Sequence, residues 1–168
     1  MNKTKRKIFE TSMKLFAEKG YDATSIEEIT SVVGVAKGTL YYHFSSKEEI
    51  FHFLVDEGMK LLQNSISIKT AQKTNSIDKL KSIVLIQLKV LYKYEDFMTI
   101  IFSQLWGNEP RNIECKKYVV QYLKIIEEII QDGINKGEII KADPETIASE
   151  IFSTTCISLI YRIKKIPK

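Results

Sequence analysis

The chain has 168 residues, enough for one compact unit or for a small head joined to a larger bundle. Its 44% hydrophobic and 27% charged content is ordinary for a soluble globular protein, and no apolar run approaches the ~20 residues of a membrane span, so no membrane partner is expected. The net charge of +4 is a weak hint of nucleic acid, and residues 1–60 carry equal numbers of basic and acidic side chains, so charge alone does not reveal a function.

The N-terminus, MNKTKRK, is basic but lacks the apolar segment of a secretory signal, which implies a cytoplasmic protein. Cys115 and Cys156 have no CxxC spacing and read as reduced core thiols. A first helix is expected from about Thr4 to Lys19, with Phe9, Met13 and Phe16 as its apolar stripe, Ile8 and Leu15 widening it, and Gly20 ending it. Ser25 with Glu28 has the spacing of a capping box, and Thr24 with Glu27 offers the same box one residue earlier. Ile26, Ile29 and Val33 then recur at helical spacing until Gly34, which can take the positive φ of a tight inter-helix turn.

The next helix runs from about Lys37 to Phe44. At roughly 100° per residue, Leu40 and Phe44 point back toward the preceding stripe, while Gly38, Thr39, Tyr41, Tyr42, His43 and Lys37 occupy the front and flanks. Two turns with an apolar back and that front read as a recognition helix. Lys37 and the free N–H groups at its start suit phosphate oxygens, and Gly38 has no side chain to hold the backbone out of a groove. Taken singly, the aromatic residues and the histidine read equally well as a half-buried rim.

Together, however, Phe16, Gly20-Tyr21, Ala23-Thr24, Ile29, Gly34-Val35, Lys37-Gly38-Thr39-Leu40-Tyr41-Tyr42-His43-Phe44 and Ser46-Lys47-Glu48 make a nearly unbroken signature. In these residues the chain resembles the TetR family of bacterial transcriptional regulators. The resemblance implies an all-α fold in which a helix-turn-helix head, residues 1–46, is joined by a long helix to a helical effector-binding and dimerisation domain, residues 47–168. It also implies a DNA-contacting set of Thr24, Ser25, Lys37, Gly38, Thr39, Tyr41, Tyr42, His43 and Lys47. Lys37, Gly38 and Tyr41 would lie nearest the base edges, with Thr24, Tyr42, His43 and Lys47 on phosphates.

Beyond the head, Ser45 and Ser46 precede Glu48 and Glu49 by three residues and start a fourth helix, which keeps its rhythm through Ile50, Phe51, Leu54, Leu61, Leu62 and Ile66 to about residue 68. About 30 Å long, it is suited to lever the head, with Gly58 a flex point. Lys69–Ser76 reads as a loop, and Ile77, Leu80, Val84, Leu88 and Leu91 mark a fifth helix. After a turn over Tyr92–Asp96, a sixth carries Phe97, Ile100, Ile101, Leu105 and Trp106 and ends at Gly107–Pro110. A long seventh follows with Tyr118, Tyr122, Ile126, Ile129 and Ile130, stopped by Gly137. Asp143-Pro144 then starts the last, with Ile147, Ile151, Phe152, Thr155 and Leu159, and Pro167 argues against its continuation.

The family resemblance implies one more C-terminal helix for the dimer interface, and the chain ends before it. Either the chain is a shortened form or the homodimer relies on Asp143–Ile163, where the uncharged Ile151–Ile160 segment, with Ser153, Thr154, Cys156 and Ser158, is the candidate interface; its alternative is burial inside one monomer. One short helix touches few bases, so two copies on a palindromic operator are expected.

No metal site, cofactor site or enzyme is expected: His43 and His52 lack ligand spacing, and neither a phosphate loop nor a nucleophile elbow is present. The aromatic residues of the body either line a pocket for a small-molecule effector, as the resemblance implies, or form ordinary core. The candidates are Leu62, Ile66, Tyr92, Phe97, Phe102, Trp106, Tyr118, Tyr122 and Phe152. The reading is therefore a repressor released from duplex DNA by a small molecule, its alternative a DNA-bound adaptor whose body docks another protein.

Overall fold

The computed structural model describes residues 1–163, with side chains through residue 157. The fold is all-α. Among the described residues the helices are α1 (Lys3–Lys19), α2 (Ile26–Val33), α3 (Lys37–His43), α4 (Lys47–Thr70), α5 (Ser76–Lys93), α6 (Glu95–Ser103), α7 (Pro110–Asn135) and α8 (Pro144–Ile163). They belong to two compact units, one made of Met1–Met59 with Asp96–Cys115, the other of Lys60–Glu95 with the chain from Lys116 onward.

In the first unit, local chemistry starts and stops each element. The Asn2 side chain accepts the Lys5 N–H at 2.8 Å to cap α1, and Gly20, at φ 88°, ends it with its N–H on the Phe16 carbonyl. Ile8, Leu15, Phe16, Ile29, Val33, Leu40, Phe44, Ile50, Phe51 and Leu54 are buried together as the core of this unit. Each such side chain contributes roughly 1.5–3 kcal/mol of transfer free energy. Tyr21 leans on that core, its ring 5.3 Å from Phe16 and 5.2 Å from Phe51. Phe97, Ile100 and Ile101 of α6 are buried as well, and a Cβ placed on Gly58 of α4 would lie 2.3 Å from the Phe97 ring. Close packing, rather than flexure, is what this glycine serves.

The inward face of α1 is not centred where hydropathy puts it. Ile8, Ser12, Leu15 and Phe16 are buried, whereas Phe9 and Met13 are half-exposed. Ser12 is fully buried and its hydroxyl has no hydrogen-bond partner among the described residues. An unsatisfied buried hydroxyl costs about 1–3 kcal/mol, and serine is a poorer helix former than alanine. Ser12→Ala is therefore expected to stabilise the protein by about 1 kcal/mol, read as a raised urea midpoint; an unchanged or lowered midpoint would mean that the hydroxyl is satisfied.

In the second unit a buried amide plays the part that an aliphatic stripe was expected to play. Ser76, Ile83, Gln87 and Leu91 are the buried residues of α5, and Ile77 is exposed. Gln87 accepts the Tyr122 hydroxyl at 3.0 Å and donates to the Phe152 carbonyl at 3.5 Å, tying α5 to α7 and α8. Burial pushes the Tyr122 phenol well above its ordinary range. The Ser76 N–H donates to Glu138 at 2.6 Å, beyond the Gly137 turn at φ 72°. Between α5 and α6 the expected turn contracts to Tyr94 alone, whose N–H still donates to Val90.

Asp143 caps α8 by accepting the Thr146 N–H at 2.9 Å, and Pro144 is its first residue. Along α8, Thr155 is buried and Ser153, Thr154 and Ile157 are exposed; the side chains of Ser158, Leu159 and Ile160, and Pro167, lie outside the described residues. Cys115 is buried, Cys156 half-buried, and burial pushes both thiols up to about 12, which leaves them protonated. No helix among the described residues is long and apolar enough to cross a membrane.

Candidate nucleic-acid interface

Two short helices, α2 and α3, present the site. Ser25 caps α2 through its Oγ, which accepts the Glu28 N–H at 3.0 Å, and its hydroxyl proton stays available to a further acceptor. The box is half made, because the Glu28 carboxylate pairs with Lys19 instead of returning to the cap. Gly34 sits in the left-handed region at φ 77°, ψ 41°, and both its N–H and that of Val35 donate to the Thr30 carbonyl. That turn is what swings α3 across α2. Leu40 and Phe44 are buried behind α3, so the opposite side of this seven-residue helix is left outward.

On that outward side Tyr42 is 84% exposed and Tyr41 45% exposed. The Tyr42 ring stands edge-on to His43, centroids 5.0 Å apart. Lys37 and Gly38 are exposed, and a Cβ on Gly38 would meet nothing within 4 Å, so the helix front is open. Thr39 and His43 are half-buried on the flanks. Phenol, imidazole, hydroxyl and ammonium groups around a bare backbone can donate to phosphate oxygens and base acceptors, as direct readout in a groove requires.

Two of the expected phosphate contacts are otherwise engaged. Thr24 is 1% exposed, its hydroxyl within reach of the Gly20 carbonyl at 2.9 Å and the Leu15 carbonyl at 3.3 Å. Its side chain braces the end of α1 and is not presented to DNA. Lys47 donates to the Tyr21 and Thr24 carbonyls, both at 2.8 Å, and lies 4.3 Å from the Tyr21 ring centroid. Burial pulls its ammonium below the ordinary lysine value. Two of its three N–H groups are thus committed to the loop before α2. The N-terminal basic cluster is similarly employed: Lys5 sits over Phe44 and Phe53, Lys7 donates to the Val33 carbonyl at 2.8 Å, and Arg6 pairs with Glu10.

Residues that pattern reading did not select also shape this face. Arg111 of α7 pairs with Asp22 at 2.7 Å, lies over the Tyr21 ring at 4.8 Å, and donates to Gln104 at 3.0 Å. It joins the end of α6 to the loop that enters the helix-turn-helix. His52 lies between Glu114 and Glu48 on the neighbouring side of α4. Glu27 of α2 reaches Lys37 of α3 at 2.5 Å, both side chains mostly exposed. That hydrogen bond holds the Glu27 carboxyl below its ordinary range and Lys37 above its own. Asp22 and Arg111, His52 and Glu114, and Glu27 and Lys37 lie far apart along the chain or on different helices, and no helical periodicity connects them.

The effector candidates divide between the units. In the first, Phe97 is buried, Phe102 half-buried and Trp106 90% exposed in the turn after α6. In the second, Leu62, Ile66 and Tyr122 are buried, Tyr118 and Phe152 half-buried and Tyr92 exposed. Of these, the Tyr122 and Phe152 rings meet, 5.7 Å apart. Among the described residues no group of three or more His, Cys, Asp or Glu could hold a metal ion.

A capped helix, a left-handed glycine turn and a second helix with a buried back and a polar aromatic front define a helix-turn-helix protein of the DNA-binding regulator class. Residues 8–54 match the profile of bacterial regulatory proteins of the tetR family, and the chain belongs to that family. It is 40% identical over 114 residues, 68% of this chain and 59% of the relative, to the Staphylococcus aureus IcaR, a negative transcriptional regulator of the biofilm operon icaADBC. It is 31% identical over 122 residues to the Bacillus subtilis HTH-type transcriptional regulator YerO, covering 70% of this chain and 41% of YerO. The chain thus spans about half the length of these curated relatives. Across 96% of its length it superposes on 88% of a candidate fatty acid metabolism regulator of Clostridium perfringens, with a TM-score of 0.89 and 33% identity.

Proposed function

We propose that this chain is a transcriptional repressor that binds a palindromic duplex as a homodimer and is released by a small-molecule effector. The observation that carries the reading is the outward side of α3, where Lys37, Gly38, Tyr41 and Tyr42 are exposed against the buried Leu40 and Phe44. The likeness to IcaR, a negative regulator, supports repression rather than activation. In this reading residues 1–46 are the reading head, with Ser25, Thr39, Tyr42 and His43 on phosphates and Lys37, Gly38 and Tyr41 toward base edges. Residues 47–168 form the effector-binding and dimerising body, with α8 from Asp143 onward as the pairing element. The protein then works in the cytoplasm, where its operator is. The C. perfringens relative, a candidate fatty acid metabolism regulator, makes fatty acids the first effector compounds to try, in a thermal-shift series.

The test is selection of duplexes from a random pool, followed by mobility-shift titration. A palindromic consensus, bound by a dimer, is expected. Tyr42→Ala should weaken binding to the selected and to an unrelated duplex alike, by roughly tenfold or more, because a phosphate bond from an exposed phenol carries no sequence information. No enriched sequence, or a Tyr42→Ala variant as tight as the parent, would overturn the reading.

A further inference from the structure

Glu27 stands out on the reading face because it is acidic. Its carboxylate is mostly exposed, on a surface otherwise made of Ser25, Lys37, Thr39, Tyr41, Tyr42 and His43. It is not needed to cap α2: Ser25 does that, and Glu28 also puts negative charge in the first turn while pairing with Lys19. What Glu27 does hold is the Lys37 ammonium, 2.5 Å away across the gap between the two helices of the motif, with the lysine 5.9 Å from the Tyr41 ring centroid.

Resting on the DNA-binding reading above, we propose that Glu27 is a specificity-determining residue that keeps Lys37 off the phosphate backbone and leaves it to guanine. A lysine ammonium is a compact point charge on a flexible stem and would bind any phosphate it reached, at any sequence. With Glu27 in place, moving to a phosphate exchanges one anion for another and leaves the carboxylate facing the polyanion, so a complex made only with the backbone gains little. Guanine O6 and N7 are neutral acceptors in the major groove. The ammonium has three N–H groups, so it can keep its bond to Glu27 while donating to O6 and N7. The carboxylate thus penalises the wrong complexes and spares the right one, which is how discrimination is built when attraction alone is unselective.

The experiment compares the parent chain, Glu27→Gln, Lys37→Ala and the double variant on a duplex selected by the parent and on a random-sequence duplex of equal length, over a salt series. Glu27→Gln should raise affinity for the random duplex about fivefold, the upper range for freeing one exposed ion pair. Its log K against log salt should steepen by about one, as for one added phosphate contact. The ratio of selected to random affinity should fall accordingly, and the Lys37→Ala background should abolish these changes. Selection repeated with Glu27→Gln should lose the guanine preference at the position Lys37 faces. An unchanged ratio, or a Glu27→Gln effect that persists without Lys37, overturns the proposal. If the parent itself enriches no duplex, the repressor reading fails instead. Because Glu27 is exposed, Glu27→Gln and, as a control, Glu27→Ala should both melt with the parent, and an affinity shift shared by these two variants excludes an effect of folding.

Discussion

Gly38→Leu is expected to abolish sequence-specific DNA binding while leaving the protein at least as stable as before. Position 38 has no positive φ, and an added Cβ meets nothing within 4 Å. Within a helix, replacing glycine by leucine should stabilise by several tenths of a kcal/mol, because glycine loses more backbone entropy on folding. The cost appears only against DNA, where a side chain at the centre of the front keeps the backbone of α3 from the base edges. Specific binding exceeds non-specific binding by roughly 10³ or more in such proteins, so affinity for the selected duplex should drop toward that for a random one. Thermal melting and mobility shift on the same preparation separate the two effects. A variant that melts no lower yet binds the selected duplex as tightly as the parent would show that α3 is not the element in the groove.

Gly58 presents the opposite case, a glycine held by the protein's own packing. Its missing Cβ leaves room for Phe97, whose ring atoms would lie 2.3 and 2.4 Å from it and whose side chain is 5% exposed. Gly58→Leu should therefore destabilise by about 3 kcal/mol, the upper end of ordinary overpacking. Each kcal/mol lowers Tm by roughly 2–4 °C at this chain length. Phe97→Ala alone should cost roughly 3–5 kcal/mol through its cavity. Combined, the leucine takes up part of the vacated ring volume, so the double variant should be more stable than the sum of the two losses, a coupling expected for residues in contact. Additive losses in urea unfolding would show that α4 and α6 do not meet through this pair. The same glycine reads in the sequence as a hinge, because nothing in its neighbours reveals a phenylalanine 39 positions along the chain resting on it.

The elements were largely legible because their causes are local. Ser25 and Asp143 cap from three residues away, Gly34 and Gly137 take positive φ, and Leu40 and Phe44 share one side of a two-turn helix. The motif from Lys37 to Phe44 likewise held enough residues in one register for its outward side to be read directly. Faces of longer helices were less legible. In α1 and α5 the inward positions include Ser12 and Gln87, which hydropathy places outside.

By itself, then, the sequence determined an all-α chain, a helix-turn-helix near its start and the helix that would enter a groove, since caps, glycine turns and helical periodicity act within a few residues. Only the tertiary structure decided which polar groups that motif can offer. Thr24 is sealed against the end of α1, Lys47 is bonded to two carbonyls, Lys37 is held by Glu27, and Asp22 is tied to an arginine 89 residues away. Trp106, apolar and expected inside, stands exposed past the end of α6, while the polar Gln87 is buried and bonded to Tyr122 and Phe152. For Gln87, Lys47 and Asp22 the physical reason is shared: what each polar side chain can bond to is a partner remote in sequence, and that partner is brought near only by the fold.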